Sequence, residues 1–380
     1  MEGVYKLHNK IMRYDWGSTR YIPEFLGAEN RDSKPYAELW MGTHPKGESR
    51  ALLGKDEKPL SQISGGLPFL FKLLAAEKPL SIQVHPDKAQ AEAGYARENT
   101  ENIPLDSPER CYKDKNHKPE ILCALTPFRA LCGFREPRLI KHLLEIFSSP
   151  PVKKLRQIFD SAGNDAPRLF LRSLFNLSNS DLIEISEFIK KNIQGLKNEY
   201  KEYSRELDLI KYLEEIFPCD PSALSPLYLN VIDLPPGEAV FLPAGILHSY
   251  IHGAGVEVMA SSDNVIRGGL TSKHIDHAEL FRVSKFAPFK PDIYKPQNHS
   301  LYKYPAPVKD FTLYCMNNGG GEAAFPASRA AIFFCTGGSA CFCLAGSEKI
   351  TAQKGESVFI AENSGGNLRL SGMFSAYVAE

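Results

Sequence analysis

The sequence predicts a mainly β protein interrupted by an all-α insertion, with its β unit present twice. Three observations lead there. Leu229 to Glu257 reads strand, turn, strand, turn, strand. From Pro137 to Phe217 the apolar period changes to that of a helix. Near the end of the sequence, Gly355-Glu356-Ser357-Val358-Phe359-Ile360-Ala361 echoes Gly237-Glu238-Ala239-Val240-Phe241-Leu242-Pro243, an internal repeat that implies a second copy of the same unit.

Residues 1 to 80 read as short strands and loops, with Trp16-Gly17-Ser18 and Trp40-Met41-Gly42-Thr43-His44 setting aromatics beside or near glycine. Leu67 to Leu74 is a buried strand carrying one lysine. Lys72 is either a snorkelling surface group or a cation directed into a cavity. In Pro79 to Asp87, strand alternation puts Ser81, Gln83 and His85 on one face, two of them able to ligate a metal. Lys88 to Arg97 has helical character. Glu120 opens the apolar run Ile121 to Leu125, where an unpaired buried carboxylate would be costly, so it is either exposed or matched to a cation.

The insertion rests on three runs at helical spacing. These are Leu139, Leu143, Leu144 and Phe147, then Leu182, Ile185, Phe188, Ile189 and Ile193, then Leu207, Ile210, Leu213 and Phe217. Ser178 and Asp181 form an S-x-x-D capping box ahead of the second. Lys197 to Glu215 reads as a solvated helix face. Pro218 to Pro226 is expected to return the chain to strands.

In the next stretch, Pro235-Pro236-Gly237 is turn chemistry and Ala239 to Leu242 a short buried strand. Pro243-Ala244-Gly245 then breaks the ladder just before His248, which places that histidine at the end of a strand, free to ligate a metal. A core histidine on an ordinary hairpin is the competing reading. Beyond Glu257, Asp263-Asn264 and Gly268-Gly269 make 262 to 273 a loop carrying Arg267 and Lys273, either an anion-binding wall or two solvated cations.

Composition narrows the function classes. Lys plus Arg and Asp plus Glu number 45 each, so no general nucleic-acid surface is expected. No run is long and apolar enough for a membrane span, and the first twenty residues hold no apolar stretch of a secretion signal. Eight cysteines without a C-x-x-C pair point to reduced thiols and the cytoplasm. Cys341 and Cys343 alternate on one face of a strand-like run and read as core. At 380 residues the chain should hold more than one domain.

The spacing from Gly237 through Pro243 and Gly245 to His248, G-x5-P-x-G-x2-H, resembles the second motif of the cupin superfamily, where the histidine binds metal and the fold is a jelly roll. His252 stands where that motif usually continues with Asn. Gln83-x-His85 takes the place of the first motif's H-x-H. Glu120 follows 35 residues after His85, which requires an inserted excursion.

Together, LSIQVHPDK (80 to 88), HKPE (117 to 120), LPAGILHSY (242 to 250) and SDNVIRGGLTSK (262 to 273) resemble the type I mannose-6-phosphate isomerases. The resemblance implies one zinc ion per chain, held by Gln83, His85, Glu120 and His248. It implies an active-site role for Arg267. It also implies two jelly-roll barrels and a helical domain: 1 to 136 with 226 to 285 as the metal-binding barrel, 137 to 225 as the insertion, 286 to 380 as a metal-free barrel. Gly366 stands where the second copy would need its histidine. The expected reaction is aldose–ketose isomerisation between mannose 6-phosphate and fructose 6-phosphate through a cis-enediol. Glu257, Asp263 and Lys118 are the titratable groups around the expected site, with the identity of the base open. Ser81, Lys72, Lys273, Tyr250 and Trp16 are the expected substrate contacts. A sugar phosphate is the expected partner of a monomeric chain, without nucleic acid or membrane. Two rivals make different demands. A sugar-storage cupin predicts a broken ligand set, and an iron dioxygenase a more nitrogen-rich one.

Overall fold

In a computed structural model, residues 3–296, 300–323, 328–344, 348–362, 364 and 368–380 are described. Among them the strands form an eleven-stranded and a nine-stranded sheet. The larger is organised by the strand His248–Ala260. Its first residues pair with the strands Ile82–Val84 and Phe128–Phe134, and from Gly253 onward it pairs with Phe69–Ala76 and Glu120–Ala124. The register shifts between Tyr250 and His252, where the strand changes partners. Gly253 makes that possible: its φ is +121°, and a Cβ there would lie 2.7 Å from the carbonyl oxygen of Pro127. One long strand thus carries His248 at one end and Glu257 near the other.

The helical stretch is larger than three runs. Pro137–Ile146, Asn179–Glu199 and Ser204–Ile216 correspond to the expected periodicities, and Pro150–Ser161 and Ala166–Phe175 stand between them. The capping box is present with both arms, Ser178 accepting from the Asp181 amide and Asp181 from that of Ser178. The chain does not return to strands at Pro218. Pro221–Leu224 is a 3-10 turn and Ser225–Tyr228 one α-turn, and the strand begins only at Leu229. Pro221 and Pro226 sit in first turns, where a missing N–H costs nothing, so they start helices instead of breaking them. Leu143, Leu144, Phe170, Leu174 and Leu213 join one core with Ile82, Val84, Leu131, Leu247 and Ile266, so the helices brace the strands that flank His248.

The smaller sheet holds Leu313–Ala323, Ala331–Leu344, Ser357–Ile360 and Leu368–Ala379. The early strand Val4–His8 pairs with Ser357–Ile360, an exchange that a division at residue 286 does not include. The repeat is visible locally: Gly237 and Gly355 both take φ +88° and each is followed two residues later by a four-residue strand. Gly366 lies outside the described residues. Phe71 meets Phe334 edge-on at 6.2 Å, and Cys123 reaches the hydroxyls of Tyr304 and Tyr377 at 3.2 and 3.3 Å, so the two sheets share a core. All eight cysteines are free, and Cys341 and Cys343 do face one side, their sulfurs 4.0 Å apart, but half-exposed and not in the core. Among the described residues no helix is long and apolar enough to cross a membrane.

Candidate metal centre

The sheet register brings the separated motifs together. Gln83 lies directly opposite His248 on one side and Arg267 on the other. Residues paired across strands project to the same face, so the three side chains form a row across the sheet. Arg267 is therefore not on a loop: Ile266–Gly269 is a strand against Ile82–Val84. His85 follows Gln83 by two residues and keeps to its face. The turn before His248 is tied to it, since the Gly245 amide donates to the His85 carbonyl at 2.9 Å, with Gly245 at φ +84°. Glu120 arrives opposite Leu242 and Met259.

His85, Glu120 and His248 are buried with ligand atoms all within 4.8 Å of one another. His85 Nε2 lies 3.5 Å from Glu120 Oε1, and His248 Nε2 3.3 Å from Glu120 Oε2. Each imidazole has its other nitrogen at a backbone carbonyl, His85 Nδ1 at Asn264 O (2.7 Å) and His248 Nδ1 at Ile246 O (2.9 Å). A carbonyl can only accept, so both Nδ1 atoms carry the proton and both Nε2 lone pairs face the gap. His85 Nε2, His248 Nε2 and Glu120 Oε2 are buried without a hydrogen-bond partner, because the short approaches between them lack hydrogen-bond geometry. Three unsatisfied acceptors in one buried gap are costly unless a cation occupies it. Burial, with the nearby Lys118 charge, lowers the His85 pKa to about 4, so it is neutral near pH 7. Burial pushes the Glu120 carboxyl up, but Lys118 and His85 outweigh it and hold it well below the usual range. Neutral imidazoles and a carboxylate are the ligand-competent forms.

Around this gap the other expected residues divide. Lys118 is buried and pairs with Glu120 at 3.0 Å. Glu257 is 3 % exposed, with Lys72 Nζ at 2.9 Å and the Tyr250 hydroxyl donating at 2.7 Å. Burial raises its pKa against the pull of Lys72, with Glu120 adding to the rise. Lys72 is directed inward and also reaches Glu38 at 3.3 Å. Burial opposes its charge, yet Glu257 and Glu38 prevail and its pKa is raised. Asp263 is drawn aside, with His44 at 3.3 Å and Lys46 at 2.9 Å. Burial acts to raise its pKa, but these two partners lower it. Burial lowers the pKa of the half-buried Arg267. Lys273 is exposed beyond that strand, Ser81 precedes Gln83 on the shared face, and Trp16 stacks on Tyr14 at 5.6 Å.

Two further residues take part in the site without having been expected there, Glu38 and Asn264. Glu38 is buried, accepts from Trp40 Nε1 at 2.7 Å and shares Lys72. Its signal was available in the alternation of Glu38 and Trp40 within Glu38–Gly42. Asn264 is fully buried, and its side chain accepts from the amides of Lys113 (2.7 Å) and Asp114 (3.1 Å) and donates to the carbonyls of Asp114 (2.9 Å) and Asn116 (2.8 Å).

A buried His–Glu–His set with glutamine across the strand, in a mainly β protein with a helical segment, defines a mononuclear metal-binding protein. Residues 4–137 match the family model described as "Phosphomannose isomerase type I, catalytic domain". The mannose-6-phosphate isomerase of Escherichia coli (strain K12) is 39% identical over 388 residues, covering 94% of this chain and 95% of its own. That of Homo sapiens is 34% identical over 353 residues, covering 82% and 81%. A zinc-bound mannose 6-phosphate isomerase structure superposes with a TM-score of 0.89 at 35% identity, covering 99% of this chain and 98% of that one. The Salmonella typhimurium mannose 6-phosphate isomerase bound to substrate and zinc gives the same values. The chain belongs to the type I phosphomannose isomerase family.

Proposed function

We propose that the chain interconverts mannose 6-phosphate and fructose 6-phosphate, with one zinc ion held by Gln83, His85, Glu120 and His248. The observation that carries this reading is the buried convergence of the unpartnered Nε2 atoms and the Glu120 carboxylate, in a chain of this family. When bound, zinc supplies Lewis-acid polarisation of the open-chain sugar's oxygens. The remaining work falls to side chains. Aldose–ketose conversion takes a proton from C2, passes through a cis-enediol and returns a proton to C1. Glu257 suits the base better than Asp263. Its raised pKa lies closer to neutral pH, whereas His44 and Lys46 hold Asp263 as a weak base. Lys72 and Tyr250 fix both Glu257 oxygens, and Lys118 balances Glu120. We assign stabilisation of the enediolate oxygen to Arg267, a reading supported by its register opposite Gln83. Ser81 and Lys273 are assigned to the phosphate and Trp16 to the sugar's flank.

The same reading extends to the architecture: two jelly-roll barrels, 1–136 with 226–285 and 286–380, and a helical domain at 137–225, with Val4–His8 lent to the second barrel. The free cysteines are consistent with a cytoplasmic protein, which we propose acts as a monomer. The test is turnover of mannose 6-phosphate by zinc-loaded protein in deuterated water. Fructose 6-phosphate should form with some deuterium at C1. Absence of turnover by zinc-replete protein would overturn the activity, and turnover without any label the enediol route.

A further inference from the structure

Away from the metal centre, a cavity of about 520 Å³ opens between the helices Ala166–Phe175 and His277–Val283. Its charge is one-sided. Arg168 and Arg172, one turn apart on the first helix, and Arg282 on the second all line it. Among the described residues neither Arg168 nor Arg172 has a carboxylate within ion-pair distance. Arg168 donates to the Phe281 carbonyl at 3.3 Å and lies 5.4 Å over the Phe286 ring, and Arg172 lies 5.5 Å over the Phe281 ring. Arg282 does pair with Glu279 (2.6 Å), but that carboxylate is shared with Arg97 at 2.8 Å and with the Tyr112 hydroxyl. Asp276, beside the rim, is engaged by the Glu279 amide at 2.9 Å. Three guanidinium groups therefore line the cavity, two of them without an acidic partner among the described residues and the third sharing Glu279 with Arg97.

A guanidinium beside an aromatic ring can still offer N–H groups to phosphoryl oxygens in pairs: the Arg172 side chain has no hydrogen bond of its own among the described residues, and Arg168 commits only one nitrogen, to the Phe281 carbonyl. The volume exceeds one phosphate and falls in the range of small-molecule sites. Asn176 and His277 add further polar groups to its lining. The geometry points to a second, non-catalytic site here for a small metabolite bearing two phosphoryl groups, acting on the metal site through the helix His277–Val283. The route is short. Leu280 of that helix packs on Gly268, where a Cβ would lie 3.1 Å from its Cδ1, and Gly268 adjoins Arg267. The binding claim stands on the cavity alone, whereas the coupling rests on the proposed isomerase function.

Inorganic pyrophosphate is the probe, titrated calorimetrically into zinc-loaded protein already saturated with fructose 6-phosphate, with zinc content measured afterwards. One pyrophosphate per chain should bind with zinc retained. Arg172→Gln, which removes only a ring contact from the fold, and Arg282→Gln should each weaken binding about tenfold, the effect of one charge-assisted contact. Pyrophosphate should also change the isomerase kcat or KM about twofold in the unaltered protein and not in Arg172→Gln. No binding, loss of zinc to the probe, or equal affinity in both variants would overturn the site. Binding without a kinetic change would overturn the coupling. If the protein proves not to be an isomerase, the titration without sugar still decides the binding claim.

Discussion

Lys72→Met is the sharpest probe of the buried network beside the metal. Lys72 is 6 % exposed and is the only cation within ion-pair distance of Glu257 or Glu38 among the described residues. Methionine retains most of the stem's volume, so the loss is chiefly electrostatic. Removing one member of a buried ion pair costs about 3–5 kcal/mol, because the partner is left charged and unmatched. Here two carboxylates lose a partner, at 2.9 and 3.3 Å, although Trp40 Nε1 and the Tyr250 hydroxyl keep one hydrogen bond to each. The lower half of that range, about 3 kcal/mol, is therefore expected.

The pH dependence gives the number its meaning. Burial already raises the Glu257 pKa, and Lys72 is the strongest opposing influence, so it rises further in the variant. A carboxyl whose folded pKa exceeds its unfolded value binds more protons when folded, so stability falls as pH rises. The deficit should grow as pH rises and shrink as pH falls toward the ordinary glutamate value of about 4.3. In the unaltered protein, Lys72 has a raised pKa, so its own contribution persists below its unfolded value and is lost only as pH rises beyond about 10.4. Urea unfolding of both proteins at equal free zinc, between about pH 5 and 8, measures the difference. A deficit under about 1 kcal/mol, flat across that range, would refute the charged network.

His248→Ala should weaken metal binding by at least about a hundredfold and abolish turnover while leaving the far-UV circular dichroism unchanged; one zinc still bound per chain would remove His248 from the ligand set. Arg267→Lys should lower kcat about tenfold or more with little change in KM, since a planar fork is needed most where enediolate charge develops; a near-normal kcat in steady-state assays would reassign it. Lys273→Ala should raise KM for mannose 6-phosphate several-fold and leave kcat nearly intact, as loss of ground-state phosphate binding does; free mannose, lacking the phosphate, should be a very poor substrate by comparison.

What the sequence made legible follows from the range of the forces involved. Alternation in Ile82–Val84 and the turn glycines Gly237 and Gly245 are local, so Gln83, His85 and His248 could be placed on faces and strand ends without coordinates. Helical periodicity located three helices but passed over Pro150–Ser161 and Ala166–Phe175. Two prolines open the first and Pro167 stands in the second, and prolines at helix starts read as breaks. Non-local pairing was not legible. Nothing within 262 to 273 announces that Ile266–Gly269 will pair with Ile82–Val84, and its two adjacent glycines favour a loop reading. Glu38 was missed for a related reason: its partner Lys72 is 34 residues away, and only the strand pairing of Glu38–Gly42 with Phe69–Ala76 brings them together.

Asn264 shows how the widely separated ligands come to share one geometry. The HKPE segment and the strand bearing Arg267 are not neighbours in any sheet. Asn264 joins them, its carboxamide engaging both the amides and the carbonyls of the loop Lys113 to Asn116 that delivers Lys118 and Glu120. Its backbone carbonyl accepts from His85 Nδ1 at 2.7 Å and so fixes that ring's tautomer. One fully buried residue therefore sets the direction of a histidine ligand and the approach of the glutamate ligand at once. Asp114 extends the joint, its carboxylate accepting from the Ser262 hydroxyl at 2.9 Å and the Asp263 amide at 2.8 Å. The 35-residue excursion between His85 and Glu120 is tolerable on these terms: its return point is pinned by buried hydrogen bonds, so its length need not be matched to any strand.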